Sequence, residues 1–247
     1  MMDMTSPSLL NRTLRTLTAG VAVAVAGYAG FASASWLRYG RLTPAAADER
    51  DVLLDRFMPR YEIVERHRVD VAAPAYITLA AAKEQDLLRS GLVRAIFTTR
   101  RVVLGGIDDM VVRPRGLLSQ MLSLGWAVLA EEPDREVVVG AVTRPWEANV
   151  VFRALPPEQF AAFDEPGFVK IAWTLRADQV DGLSSVFRTE TRAVATDPEA
   201  REKFRRYWSL VSPGVILIRR LSLAPLKREA ERRAREVPGT TVAYGLS

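Results

Sequence analysis

Tyr61-Glu62-Ile63-Val64-Glu65-Arg66-His67-Arg68-Val69-Asp70-Val71 runs into Ala72-Ala73-Pro74, and these fourteen residues decide the fold. The first eleven alternate with the period of a β-strand. Tyr61, Ile63, Glu65, His67, Val69 and Val71 fall on one face, and Glu62, Val64, Arg66, Arg68 and Asp70 on the other. The first face is the more apolar, so it lines the interior. Glu65 and His67 are thereby carried inward, roughly 7 Å apart along the strand. One reading is an acid/base or ligand-orienting pair in a cavity, with the carboxylate favouring the imidazolium. The other is a pair that bonds Arg188, Tyr207 or backbone groups and only satisfies itself.

Before this strand, Ala45 to Met58 reads as a short helix ended by Pro59. After it, Pro74 opens a helical region through Leu79 and Ala82. A second helix is expected from Glu84 to Leu104, with Leu87, Leu88, Val93, Ile96, Phe97 and Val103 on its inner side, broken at Gly105-Gly106. Gly116 to Leu124 makes a further short helix. Strands follow at Trp126–Glu131, Glu136–Val142 and Asn149–Phe152, the first two joined at Pro133-Asp134-Arg135. Pro156-Pro157-Glu158 starts a helical turn reaching Phe163. Phe168–Arg176 and Leu183–Ala195 pair about Asp181-Gly182. Val169, Ile171, Trp173 and Leu175 share a face of the former, while Arg188, Glu190 and Arg192 read as an exposed charge ladder beside Thr189 and Thr191.

The last element has a marked start. Asp197 caps, Pro198 needs no N–H donor in the first turn, and Glu199 favours the positive end of the dipole. Ala200, Phe204, Tyr207, Trp208 and Val211 then share one face. Ser212-Pro213-Gly214 is expected to kink or restart the helix, which resumes from Val215 to about Arg235. The tail beyond Pro238-Gly239 reads as loose.

At the front, Thr16 to Leu37 is a run of twenty-two residues with no charge, with Arg12 and Arg15 before it and Arg38 and Arg41 after it. That length crosses the ~30 Å hydrocarbon core of a bilayer as a helix. Tyr28 and Trp36 suit the interfaces. The alternative is a cleaved signal peptide, with an apolar core from Ala19 to Phe31 and a small-residue site at Ala32-Ser33-Ala34. Orientation stays open, because Arg12 and Arg15 are outnumbered by Arg38, Arg41, Arg50 and Arg56 on the far side.

Composition excludes several chemistries. The chain has no cysteine and one histidine, which removes disulfides, thiol nucleophiles and the usual structural zinc sites. Neither a G-x-S-x-G elbow, nor a P-loop, nor a G-x-G-x-x-G occurs. Net charge is +5, but arginines alternate with acids, and no basic patch with interleaved aromatics points to nucleic acid. Lys227 to Arg235, the densest basic stretch, is a solvated helix face or a contact for anionic head groups.

The order is strand, paired helices, antiparallel strands and a long C-terminal helix. It resembles the helix-grip fold of the START-like superfamily (SRPBCC), including the polyketide cyclase/dehydrase group. The residues that carry the resemblance are the first strand ending in Ala72-Ala73-Pro74, then Phe187-Arg188-Thr189-Glu190-Thr191-Arg192, Asp197-Pro198-Glu199-Ala200-Arg201 and Tyr207-Trp208. The resemblance implies an α+β fold in which a twisted antiparallel sheet wraps on the long helix, here preceded by one N-terminal transmembrane helix. The chain then divides into a basic tail at 1–15, an anchor or signal at 16–37, and a linker with a short helix at 38–59. A START-like domain at 60–235 and a loose tail at 236–247 complete it.

The resemblance also implies an apolar cavity between sheet and helix, with Glu65, His67, Trp173, Phe204, Tyr207 and Trp208 as candidates to line it. It implies no catalytic motif, and neither a metal nor another cofactor is expected. Three functions follow. The first is a membrane-tethered domain that binds or carries a hydrophobic small molecule or lipid. The second is a cyclase/dehydrase-like enzyme using Glu65 and His67, and the third an interaction protein with no ligand. Expected partners are the membrane, through the single-pass N-terminal helix, and the apolar ligand, but no nucleic acid. Cleavage of the leader would instead give an exported protein. N-terminal sequencing of the protein from native membranes should find residues 16–37 retained; a chain starting at Ser35 contradicts the anchor.

Overall fold

The computed structural model describes residues 7–42, 44–86 and 116–236. The expected helix from Glu84 to Leu104, apart from its first residues, and the tail after Pro238 lie outside them. Helix α1 (Pro7–Arg38) is followed by a 3-10 turn (Ala47–Glu49) and α2 (Val52–Asp55), then β1 (Ile63–Val71) and α3 (Ala75–Glu84). Next come α4 (Leu117–Ser123), β2 (Ala127–Glu132), β3 (Glu136–Thr143), β4 (Phe152–Arg153) and α5 (Pro157–Ala162). The chain closes with β5 (Val169–Asp181), β6 (Ser184–Ala195) and α6 (Pro198–Glu236).

The strands form one antiparallel sheet in the order β1-β6-β5-β3-β2, with β4 pairing the end of β3. Strand β5 runs on to Asp181, further than its alternation suggests. The turn tightens only there, where the Asp181 carboxylate accepts the Leu183 N–H at 2.8 Å. Every residue of β3 is buried, as its continuous valine run requires of a strand covered on both faces. Gly140 lies at its middle because a Cβ there would meet Leu129 at 2.6 Å and the Phe160 ring at 3.0 Å.

On the inner face, Val71, Val139, Trp173, Leu175 and Phe187 pack with Ile77 and Leu79 of α3 and with Leu226, Ala230 and Ala234 of α6. At the other end of the long helix, Phe204 packs with Ile63, Val169 and Ala193. Asp197 caps α6 as expected, its Oδ1 accepting the N–H groups of Glu199 at 2.8 Å and Ala200 at 2.9 Å. The restart expected at Ser212-Pro213-Gly214 does not occur. The helix continues through Pro213 and Pro225, because core contacts before and after them hold its axis at the cost of a missing N–H at each.

The outer face corrects a second expectation. Leu53, Leu54, Phe57 and Met58 cover it, packing on Val138, Val142, Ala172 and Phe160. Beneath this strap the supposed exposed ladder is buried, with Arg192 only 3% exposed. Arg192 donates to Glu190 at 2.6 Å, to Asp55 at 2.5 Å and to the Met58 carbonyl at 2.8 Å, with the Tyr61 ring 4.5 Å from its guanidinium carbon. Arg66 adds a fork onto Glu190 at 2.9 and 3.3 Å. Removing one partner of such a buried pair leaves an uncompensated charge. Arg192→Ala should therefore cost about 3–5 kcal/mol in urea unfolding. Asp55→Ala, at the half-exposed end, should cost less; equal small losses would contradict the network.

Candidate functional site

Strand pairing builds the site. In the β1–β6 register Glu65 lies opposite Thr191 and His67 opposite Thr189, while β5 sets Trp173 opposite Thr191. Directly opposed residues share a face, and this one faces α6. From the helix, Arg219 reaches down and donates to the Thr189 hydroxyl at 3.4 Å. The Glu65 carboxylate and the His67 Nε2 stand 4.0 Å apart, too far for a hydrogen bond. Among the described residues, His67 Nε2 and Thr191 Oγ1 are buried with no hydrogen-bond partner.

Burial dominates the electrostatics. It pushes His67 down to about 4, and the charges of Arg219 and Arg220 add to the shift. Burial also raises the Glu65 carboxyl above its ordinary value, opposed by the same two arginines. Arg219 falls to about 10 through burial, opposed by Glu65. The carboxylate therefore does not favour an imidazolium, as the sequence suggested. Desolvation and two cations outweigh one carboxyl group at 4.0 Å. At neutral pH His67 is a neutral ring with one N–H and one lone pair, and Thr191 offers a hydroxyl that both donates and accepts.

Of the six candidate residues, Glu65, His67 and Trp173 lie in adjoining strand positions on this inner face. Phe204, Tyr207 and Trp208 do not join them. They form a separate aromatic cluster near the start of α6, with Phe204 6.1 Å from Tyr39, 6.3 Å from Tyr207 and 6.2 Å from Trp208 between ring centroids. Trp173 itself meets Trp126 edge to face at 6.2 Å. Thr189, Thr191 and Arg219 were missed as site residues. The threonines could have been found by asking what faces inward if Arg188, Glu190 and Arg192 face outward.

Two pockets lie near these residues. One, of about 200 Å³, is lined by Arg66, Arg176, Arg188, Asp51 and Glu190 and also by His67 and Thr189. Its charges are internally paired, Arg176 and Arg188 both holding Asp178 at 2.7 and 3.1 Å. Asp51 caps α2 by accepting the Leu54 N–H at 2.7 Å. Burial, and then Asp51, raise the carboxyl of buried Glu136. The other pocket, of about 400 Å³, lies between Arg144, Trp146, Asp197 and Lys203 at the start of α6.

No protein-family model matches the sequence, and no curated protein does. Among solved structures the chain is similar to norcoclaurine synthase from Thalictrum flavum, with 12% identity, a TM-score of 0.34, and coverage of 79% of this chain and 98% of that one. It is also similar to the Zhui aromatase/cyclase from Streptomyces sp. R1128, with 17% identity, a TM-score of 0.24, and coverage of 69% and 94%. At these scores neither likeness carries weight. The fold rests on this chain's own strand order and on the helix laid along its inner face, an α+β helix-grip arrangement.

The single histidine makes its charge state directly readable. The unfolded ring takes up a proton near 6.5 and the folded one near 4. Stability from neutral His67 is therefore full above pH 6.5 and is lost as pH falls toward 4. Nitrogen NMR of the labelled imidazole should report a neutral ring at pH 5.5. A midpoint near 6.5, the free value, contradicts its burial.

Proposed function

We propose that this chain is a membrane-tethered START-like domain that binds or carries a hydrophobic small molecule or lipid between the sheet and α6. The observation that carries this reading is the pair of buried, unpartnered atoms, His67 Nε2 and Thr191 Oγ1, on one face under one helix. Each such atom costs about 1–3 kcal/mol unless something bonds it. A ligand with one polar group would relieve both, while its apolar body meets Ile171, Val69 and Trp173, which belong to the inner core.

The tether rests on α1. Among the described residues of its candidate span, Thr18–Arg38, none in the apolar window is buried, and Val23 and Val25 are 73% and 63% exposed. A soluble helix would hide that side against a core. Residues 16–37 thus hold the domain at a bilayer by a single pass.

One observation favours a second reading, a cyclase/dehydrase-like enzyme. A neutral imidazole 4.0 Å from a carboxyl of raised pKa has the protonation of a general base at pH 7. Catalysis would additionally require turnover that falls when His67 is replaced by a non-titrating ring.

Binding is tested on the full chain in mild detergent, by native mass spectrometry and by titration with a fluorescently labelled long-chain alcohol. A co-purifying apolar molecule is expected. Thr191→Val and His67→Phe should each weaken probe binding by up to about tenfold, the upper range for one net hydrogen bond. No adduct, together with unchanged probe affinity in both variants, leaves the domain as an interaction module without a ligand.

A further inference from the structure

Helix α6 is apolar on two sides, and the fold uses only one of them. Its inward side is committed to the sheet through Ala200, Phe204, Leu226 and Ala230, all buried, and through the Arg219–Thr189 bond. On the outward side, Leu210, Leu217 and Leu221 are 53%, 42% and 40% exposed. Steps of seven and four residues keep them on one stripe, with Gly214 between. From Tyr207 to Ile218 the helix has no charged residue. Beyond this stretch come exposed arginines, Arg206 before it, paired with Glu202 at 3.0 Å, and Arg220 and Arg228 after it.

The stripe starts where α1 lies against α6. The Tyr28 hydroxyl donates to the Leu210 carbonyl, Ser35 and Ser212 share a hydrogen bond at 2.9 Å, and Arg205 donates to the Trp36 carbonyl at 3.0 Å. The Arg205 guanidinium also stacks 4.1 Å from the Trp36 ring centre. On α1, exposed Val23, Val25, Tyr28 and Phe31 continue the apolar surface from this junction. Monomeric soluble proteins seldom leave so continuous a patch open. Length and composition alone would let α6 cross a membrane. Its commitment to the sheet excludes that, because a spanning helix would have to give up its core contacts.

We infer that the outward side of α6, from Arg206 to Arg228, is a second membrane-contact surface, seated in the head-group and upper acyl region of an anionic bilayer beside α1. An apolar stripe with arginines at its ends is the pattern of a helix lying in the interface, the guanidinium groups meeting lipid phosphates while the leucines enter the acyl boundary. This rests on the reading that α1 is inserted in the same bilayer.

Because the chain has no cysteine, single labelling sites are clean. Leu217→Cys and Leu221→Cys, with Val25→Cys on α1 and Val180→Cys on the β5–β6 hairpin as references, are labelled with NBD in the full chain. The protein is reconstituted in phosphatidylcholine vesicles with or without phosphatidylglycerol. The labels at 217, 221 and 25 should shift to the blue and be quenched by brominated lipid, and the label at 180 should not. Quenching at 217 should rise several-fold with phosphatidylglycerol; no rise overturns the head-group contact. Quenching at 25 with water-like emission at 217 and 221 overturns the α6 surface and leaves the tether standing. Water-like emission at 25 removes the tether, and the inference with it. A blue shift at 217 and 221 without bromolipid quenching overturns the inference in favour of a second copy on this face.

Discussion

Strand β6 runs between β1 and β5, and its alternation divides the molecule into two chemistries. Phe187, Thr189, Thr191 and Ala193 point to the long helix, while Arg188, Glu190 and Arg192 point to the opposite side, Arg188 meeting Asp48 and Asp178 and Arg192 meeting the strap formed by residues 51–58. Both sets are largely buried. A strand so placed cannot slip by one residue, because a slip would send the arginine cluster into the apolar gap and the threonines beneath the strap. The outer ion network thus fixes the register that brings the polar inner residues together. The buried charges are held by one another, by the Met58 carbonyl and by Tyr61, whose hydroxyl accepts from Arg66 at 3.1 Å.

The inner side follows from that register. A tyrosine-to-valine strand with two polar residues in its interior face would ordinarily pair them with neighbours. Here the nearest cation, Arg219, spends its hydrogen bond on Thr189, and the carboxyl of Glu65 stays out of reach of His67. The His67 ring is neutral at pH 7, and the charges of Arg219 and Arg220 act on it from the helix.

Much of this was legible in the residues. The strand at Tyr61–Val71, the inner face of β5, the Asp197 cap and the element order are all local patterns, and local patterns survive folding when a core supports them. The charge ladder of β6 was misread because alternation tells which residues share a face, not what covers it. The cover came from Leu53 to Met58, part of the expected short helix at Ala45–Met58, whose place against the outer face of the sheet its own residues do not reveal. The restart expected at Pro213 does not occur for a related reason: the proline's local penalty is real, but core contacts on both sides of it outweigh it. The aromatic residues Phe204, Tyr207 and Trp208 share a helix face with one another, and only the crossing of α6 over the sheet decides that they end far from Trp173.

The claim on which the functional account stands is that His67 and Thr191 meet a ligand from beneath α6. It is tested most directly by following the nitrogen resonances of the one imidazole while the full chain is titrated with a long-chain alcohol. The account predicts a saturable shift of the Nε2 resonance, with half-saturation at the same concentration as binding measured independently. Binding that saturates while the Nε2 resonance stays fixed would contradict it.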